Sequence, residues 1–286
     1  GTDCATTVFI IMMENHDWAD IVGNPRAPYI NNVLLPLYAH ANNYRSGAMF
    51  PSLPNYMTLE AGDPMGLFNI SPLPTSFRIA SPDHLTTYLN NAGISWRSYS
   101  ELLPGNGTVC PLTESNFYSL DHNVFSYFDD VTGNPPSASN AYCRQHIRPY
   151  SELATDLASS TVARYNFIIP SDPDQGEKKA PPLSNLIAQS DTWLSQNVPA
   201  ILASQAYHDG GVLLVVWDEA LPLTQTQDHP IGCIVVSDLA KPGYANAIPY
   251  SHTSTLRTVQ EIFGVTPFLR GAATATDLSD LFVSFP

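Results

Sequence analysis

Two short acidic clusters stand directly behind apolar runs: Glu14-Asn15-His16 follows TTVFIIMM (residues 6–13), and Asp218-Glu219 follows GVLLVVW (residues 211–217). Carboxylates and an amide oxygen at adjoining strand ends make a hard-oxygen site suited to a divalent cation. The same residue types also act as N-caps and turn formers after strands. Their occurring twice, in a chain with only 13% charged residues, favours a site. A third feature is MFPSLPNY (residues 49–56), where Ser52 lies between two prolines and Asn55 follows three residues on. A hydroxyl fixed at a helix N-terminus sits where backbone N–H groups and the helix dipole favour a phosphate. Simple capping of that helix by Ser52, or a plain Ser-x-Pro turn, is the alternative reading.

Of the eight histidines, His122 (in LDHNVFSYFDDV), His229 (in QDHPIG) and His252 (in PYSHTSTLRT) occupy loops able to reach the same sheet edge, and His16 follows the first acidic cluster. His252 directly precedes a helical pattern, which makes it the strongest of them. No G-x-S-x-G elbow occurs, which argues against a serine carboxylesterase.

The elements that position these groups read as alternating buried strands and helices, the pattern of a mostly parallel sheet covered on both faces. Residues 6–13, 165–169, 211–217 and 231–236 are the strand candidates. Ile30, Val33, Leu34 and Leu37 mark one face of a helix, and a second helix runs through Leu183, Leu186, Ile187 and Leu194. Near the end, Ser254 is placed to cap a helix that buries Leu256, Val259 and Phe263 and stops at Gly264. Residues 98–150 dissolve into Gly, Pro, Asn, Ser and aromatics, which reads as a long functional excursion from one domain spanning residues 1–286. Open α/β sheets bind ligands beyond the carboxyl ends of their strands, where both acidic clusters fall.

With 12 Lys and Arg against 26 Asp and Glu, the net charge is -14, which argues against nucleic acid or an anionic membrane as a bulk partner. No apolar run is long enough to span a bilayer, and no signal-peptide pattern is present, so the expectation is a soluble, processed protein. Among four cysteines without CxxC spacing, Cys110 and Cys143 flank the loop-rich stretch and suit a disulfide in an oxidising compartment. Cys4 and Cys233 either form a second bridge or leave Cys233 as an inert buried thiol. A secreted or periplasmic location follows as an expectation.

MMENHDWADIVGN, PSLPNYMTLEAG, WDEA and PYSHTSTLRTVQEIFG, in this order, resemble the motif series of the bacterial and fungal phosphoesterase family of acid phosphatases and phospholipases C. GISWRSYSE and the His122-Asn123-Val124-Phe125 segment are similar to it as well. The resemblance implies an alkaline-phosphatase-like α/β three-layer sandwich with its active site at the strand ends. Carried over, it makes Glu14, Asn15, Asp218 and Glu219 ligands of a divalent metal and Ser52 the nucleophile. His122 and His252 become catalytic groups at the phosphate, and Asn55 and His229 are the substrate-binding candidates. Two departures are visible: Phe50 stands where the family often has His, and SDPDQGEKKAPP replaces an Asp-x-His-Asp cluster, with Asp172 and Asp174 as the available carboxylates. The expected activity is metal-dependent hydrolysis of a phosphate ester through a phosphoseryl intermediate, on a small phosphorylated substrate or phospholipid headgroup. A phospholipase C-type diesterase and a non-catalytic phosphate- or metal-binding relative are the alternatives.

Overall fold

Strands buried on both faces read as unbroken apolar runs, and the centre of this molecule is built from three of them. In the computed structural model, which describes residues 3–47, 49–221 and 228–286, the strands are β1 (Thr7–Met13), β2 (Ala39–Ala41), β3 (Tyr44–Arg45), β4 (Trp96–Ser100), β5 (Ile147–Pro149), β6 (Tyr165–Ile169), β7 (Gly211–Trp217), β8 (Cys233–Val236), β9 (Ala245–Asn246) and β10 (Tyr250–Ser251). Eight join in one sheet in the order β5-β4-β6-β1-β7-β8-β2-β9, and β3 and β10 form a separate parallel pair. β1, β6 and β7 are buried at every residue. From β5 to β7 all neighbours are parallel, while β8 runs against both β7 and β2. The carboxyl ends of β4, β6, β1 and β7 therefore share one edge, and Glu101, Ser171, Glu14 and Asp218 stand immediately beyond it.

β6 and β7 have the bounds that their apolar runs predict. β4 escapes that reading because its sequence, WRSYS, is mostly polar; its Ser98 and Ser100 are nevertheless buried. β4 and β5 thus lie within residues 98–150 or at their border, so the excursion begins and ends in the sheet. The predicted helical face at Ile30–Leu37 is only half correct. Its first turn is a wide π-turn over Ile30–Leu34, which keeps Ile30 and Leu34 inward and leaves Val33 and Leu37 exposed. The helix expected from Leu183 starts at Leu186, capped by Asn185, and Leu183 is exposed outside it.

Two helices hold the site. Ser52–Ala61 is buried along its whole length and ends at Gly62 in the left-handed conformation. His252–Phe263 packs against it. The cap of the second helix is Ser251 rather than Ser254; Ser254 sits at the third helical position and its hydroxyl accepts from the Ser251 N–H at 3.0 Å. Gly62 is wedged against the C-terminal segment: a Cβ there would lie 2.2 Å from the Leu269 carbonyl oxygen. The Gly271 N–H donates to Gly62 O at 3.1 Å, and Arg270 Nη1 donates to Ala61 O at 2.9 Å.

Cys110 and Cys143 are joined by a disulfide with their Cα atoms 5.5 Å apart. Cys4 is free and exposed, and Cys233 is a buried thiol inside β8, so the second of the two readings for this pair describes the fold.

Candidate active site

A serine that caps a helix accepts from its first N–H groups. Ser52 does not: Pro51 is the cap residue, and Ser52 opens the helix with its hydroxyl turned toward the sheet edge. Ser52 Oγ donates toward Glu14 Oε2 at 3.0 Å and Glu219 Oε1 at 3.2 Å. The register of β1 on β7 sets this up, because pairing Met13 with Trp217 puts the two acidic clusters side by side. The Asp218 N–H then donates to Met13 O at 3.0 Å. Asp218 Oδ1 accepts the N–H groups of Asn15 at 3.1 Å and Glu219 at 2.7 Å. Asn15 takes up the left-handed conformation, φ 53°, which asparagine tolerates better than most residues. Its terminal amide is thereby brought to 3.1 Å from Glu219 Oε1 and 3.2 Å from Glu14 Oε2.

Whether that amide presents nitrogen or oxygen to the carboxylates depends on what lies between them. Burial, the charge of Asp218 and that of Glu177 drive the Glu14 carboxyl well above its ordinary range, and burial together with Asp218 pushes Glu219 up to about 9. Asp218 is raised as well, chiefly by burial. Carboxylates crowded out of water in this way become protonated or bind a cation. Oxygens of Glu14, Asp218 and Glu219 lie within 4.8 Å of one another, and Asp218 Oδ2 is buried without a hydrogen-bond partner. Hard oxygens, excess negative charge and an orphaned acceptor fit a divalent cation held by Glu14, Asn15, Asp218 and Glu219.

A second grouping shares Glu14. His122 Nε2 is 3.4 Å from Glu14 Oε1 and 3.9 Å from Glu177 Oε2, and Nδ1 is 4.0 Å from Asp172 Oδ1. Burial lowers the basicity of His122, but Asp121, Glu177, Asp172 and Asp218 outweigh it and the net shift is upward. A proton on His122 balances charge here, whereas the first grouping contains no cationic side chain. The ring stacks on Tyr56, centroids 5.0 Å apart and planes 7° off parallel. Tyr56 lies one turn after Ser52, and its hydroxyl donates to Glu14 Oε1 at 2.6 Å and accepts from Gln175 Nε2 at 3.3 Å.

The remaining predicted groups take different places. His252 is buried behind the site: Nε2 donates to the Asp218 carbonyl at 2.7 Å, so Nδ1 is the acceptor for the Tyr44 hydroxyl at 2.9 Å. Burial brings its pKa down to about 4. Both ring nitrogens are thus engaged, Nε2 at the Asp218 carbonyl and Nδ1 at Tyr44. Asn55 is buried near Met49 O and Pro51 O, at 3.3 and 3.5 Å from its Nδ2, and its Oδ1 has no partner. His229 is half exposed and pairs with Asp17, Nδ1 to Oδ2 2.6 Å, with no contact to Ser52. His16 Nδ1 donates to Glu14 O at 2.7 Å.

In the segment after β6, Asp172 meets Lys178 Nζ at 2.6 Å and Ser119 Oγ at 3.0 Å, while Asp174 turns away to Ser171 Oγ at 2.8 Å. From this segment both Asp172 and Glu177 face His122, at 4.0 and 3.9 Å, and burial raises Glu177 to about 7. Glu177 and Tyr56 are the functional residues that sequence reasoning missed. The i, i+4 spacing of Tyr56 from Ser52 was the available signal for one; Glu177, two residues past the short Asp172–Gln175 helix, lies in the SDPDQGEKKAPP segment, where only Asp172 and Asp174 were singled out.

Residues 27–266 match the model of the Phosphoesterase family. The chain is 29% identical over 280 residues to a phosphatidylinositol-3-phosphatase from Mycobacterium tuberculosis, covering 95% of this chain and 82% of that one. Among solved structures it resembles an alkaline phosphatase superfamily protein from Vibrio parahaemolyticus, with TM-score 0.60, 11% identity, and 97% and 72% of the two chains covered. It also resembles a phosphonate monoester hydrolase from Silicibacter pomeroyi, with TM-score 0.56, 12% identity, and 99% and 77% covered. The sheet and its helices are thus an alkaline-phosphatase-like α/β fold, and with most of its length matched the chain belongs to the phosphoesterase family.

Proposed function

We propose that this phosphoesterase is a divalent-metal-dependent phosphomonoesterase in which Ser52 is the nucleophile. One observation carries the reading: Ser52 Oγ opens a fully buried helix and lies within hydrogen-bond reach of both Glu14 and Glu219, at the joint end of β1 and β7. The Mycobacterium tuberculosis relative, a lipid phosphomonoester phosphatase by name, supports a monoester over a diester.

A cation held by Glu14, Asn15, Asp218 and Glu219 would supply positive charge against the phosphate oxygens and lower the pKa of a nearby hydroxyl. Ser52 Oγ loses its proton toward the carboxylates it already faces and attacks phosphorus. The bond to the ester oxygen breaks, leaving a phosphoseryl enzyme that water then hydrolyses. His122, charged by its carboxylate neighbours, gives the leaving alkoxide its proton. Asn55 lies in the first turn behind Ser52 with its Nδ2 facing Met49 O and Pro51 O, and the N-terminal turn of the helix favours the phosphate's charge.

Hydrolysis of p-nitrophenyl phosphate and bis-p-nitrophenyl phosphate tests this, from acidic to mildly alkaline pH, with chelator or added divalent metals. The monoester is expected to turn over faster, the chelator to abolish activity, and Ser52→Ala to lose about 10³-fold or more. Preference for the diester supports the phospholipase C-type reading. Binding of phosphate or metal without turnover of either ester overturns the enzyme reading in favour of a binding protein.

A further inference from the structure

Residues 64–77 (PMGLFNISPLPTSF) contain no Asp, Glu, Lys, Arg or His in a chain with a net charge of -14. Within six residues of this stretch, Phe68, Ile70 and Leu73 are 47, 51 and 52% exposed. The other large apolar side chains exposed among the described residues, Val22, Val33, Leu37, Leu102, Leu183 and Val283, nowhere bring three together within six residues. Isolated exposed apolar residues are ordinary, but three together on one loop mark an interaction surface.

The loop's position gives that surface a use. It continues from the helix that begins with Ser52, and it is tied to the segment that delivers His122. Ser71 Oγ donates to Asp121 Oδ2 at 3.1 Å, and the Tyr127 hydroxyl donates to Pro72 O at 2.7 Å. Leu67 is buried beneath it, and Leu73 O accepts the N–H groups of Ser76 and Phe77 at 2.9 and 3.1 Å. The three side chains are therefore held on an ordered loop beside the active-site rim.

We propose that Phe68, Ile70 and Leu73 form an interfacial docking loop that seats the enzyme on an uncharged or zwitterionic lipid surface, where the monoester phosphate of a minor lipid dispersed in that surface reaches Ser52. This rests on the phosphatase reading for the supply of substrate, but docking itself needs no catalysis. Charge selects the surface: an acidic chain is repelled by anionic lipid, while an uncharged apolar loop gains from any lipid it enters. A protein partner is the competing occupant, and the same assay separates the two.

Flotation with phosphatidylcholine vesicles, with and without added anionic lipid, tests the proposal on the wild type and the Phe68→Ser/Ile70→Ser/Leu73→Ser variant. The wild type is expected to float with zwitterionic vesicles and less well as anionic lipid is added. The triple variant is expected to lose about tenfold or more in partitioning while turning over soluble p-nitrophenyl phosphate as the wild type does. The single Phe68→Ser variant reads the same loss in a smaller step if the triple variant fails to fold. A wild type that stays out of the vesicles, variants that bind undiminished, or a preference for anionic vesicles would each overturn the docking loop. Failure of soluble turnover in the wild type sinks the phosphatase reading instead and leaves the flotation result standing.

Discussion

Glu177 and Tyr56 show how much of the site's chemistry is set by neighbours rather than by the reacting groups. Glu177 is one of the carboxylates that raise His122. Removing its charge with Glu177→Gln lowers the His122 pKa, so a reaction that needs the imidazolium loses its upper pH limb sooner. The pH profile of kcat/KM is expected to move down by about one pH unit, and an unmoved profile would take His122 out of the acid role. Tyr56 acts on Glu14 itself, donating a 2.6 Å hydrogen bond to the same Oε1 that His122 approaches. Tyr56→Phe keeps the ring stacked on His122 and removes only the donor, which is expected to weaken metal affinity roughly tenfold, read by titrating turnover with metal. The acidic clusters were legible because carboxylates behind apolar strands are rare in a charge-poor chain. The fates of His229 and His252 were not, because a sequence shows a histidine's neighbours along the chain and not the Asp17 carboxylate or Asp218 carbonyl that each one meets.

At the scale of elements, the Ser52–Ala61 helix is clamped at its far end by a buried imidazole. His84 lies between Glu60, Nδ1 to Oε1 2.8 Å, and Asp130, Nε2 to Oδ1 2.8 Å, and its ring stacks on Phe128 at 3.8 Å. This joins the Ser52–Ala61 helix, the Leu85–Asn91 helix and the excursion. Burial opposes its charge, but the hydrogen bonds it donates to Asp130 and Glu60 prevail and raise it to about 9 from 6.5. A raised pKa means that the stabilisation is complete below the unfolded-state value of 6.5 and is lost as pH rises through about 9. The loss is at most about 3 kcal/mol, less for the partial exposure of Asp130. Denaturant unfolding on either side of that window should show it, and His84→Gln should flatten the difference. Sequence reading captured β6 and β7 because both faces of each are covered and the apolar run is continuous. It failed at β4, where buried serines disguise a strand, and at Ile30–Leu34, where a wide turn breaks the 3.6-residue period. β8's reversed direction was beyond it, since strand polarity depends on where the partner lies.

For the molecule as a whole, net charge and loop-rich composition set two conditions. An acidic surface leaves the attraction of an anionic substrate to the site itself, which is why chelation is expected to remove binding as well as turnover. The excursion is held by the Cys110–Cys143 bridge across a separation of 33 residues. Replacing both cysteines with serine is expected to cost up to about 4 kcal/mol in loop entropy, measured by denaturant unfolding of oxidised wild type against the variant. The wedge at Gly62 sets a third condition, for anyone cutting the chain. All of Glu14, Asn15, Ser52, Tyr56, His122, Glu177, Asp218, Glu219 and His252 precede residue 253, and the family match ends at residue 266. A boundary drawn there discards Leu269, Arg270 and Gly271, which bracket the end of the Ser52–Ala61 helix. Such a fragment would carry every group assigned to the proposed reaction and still be expected to be inert, Ser52 riding on an unsecured lever.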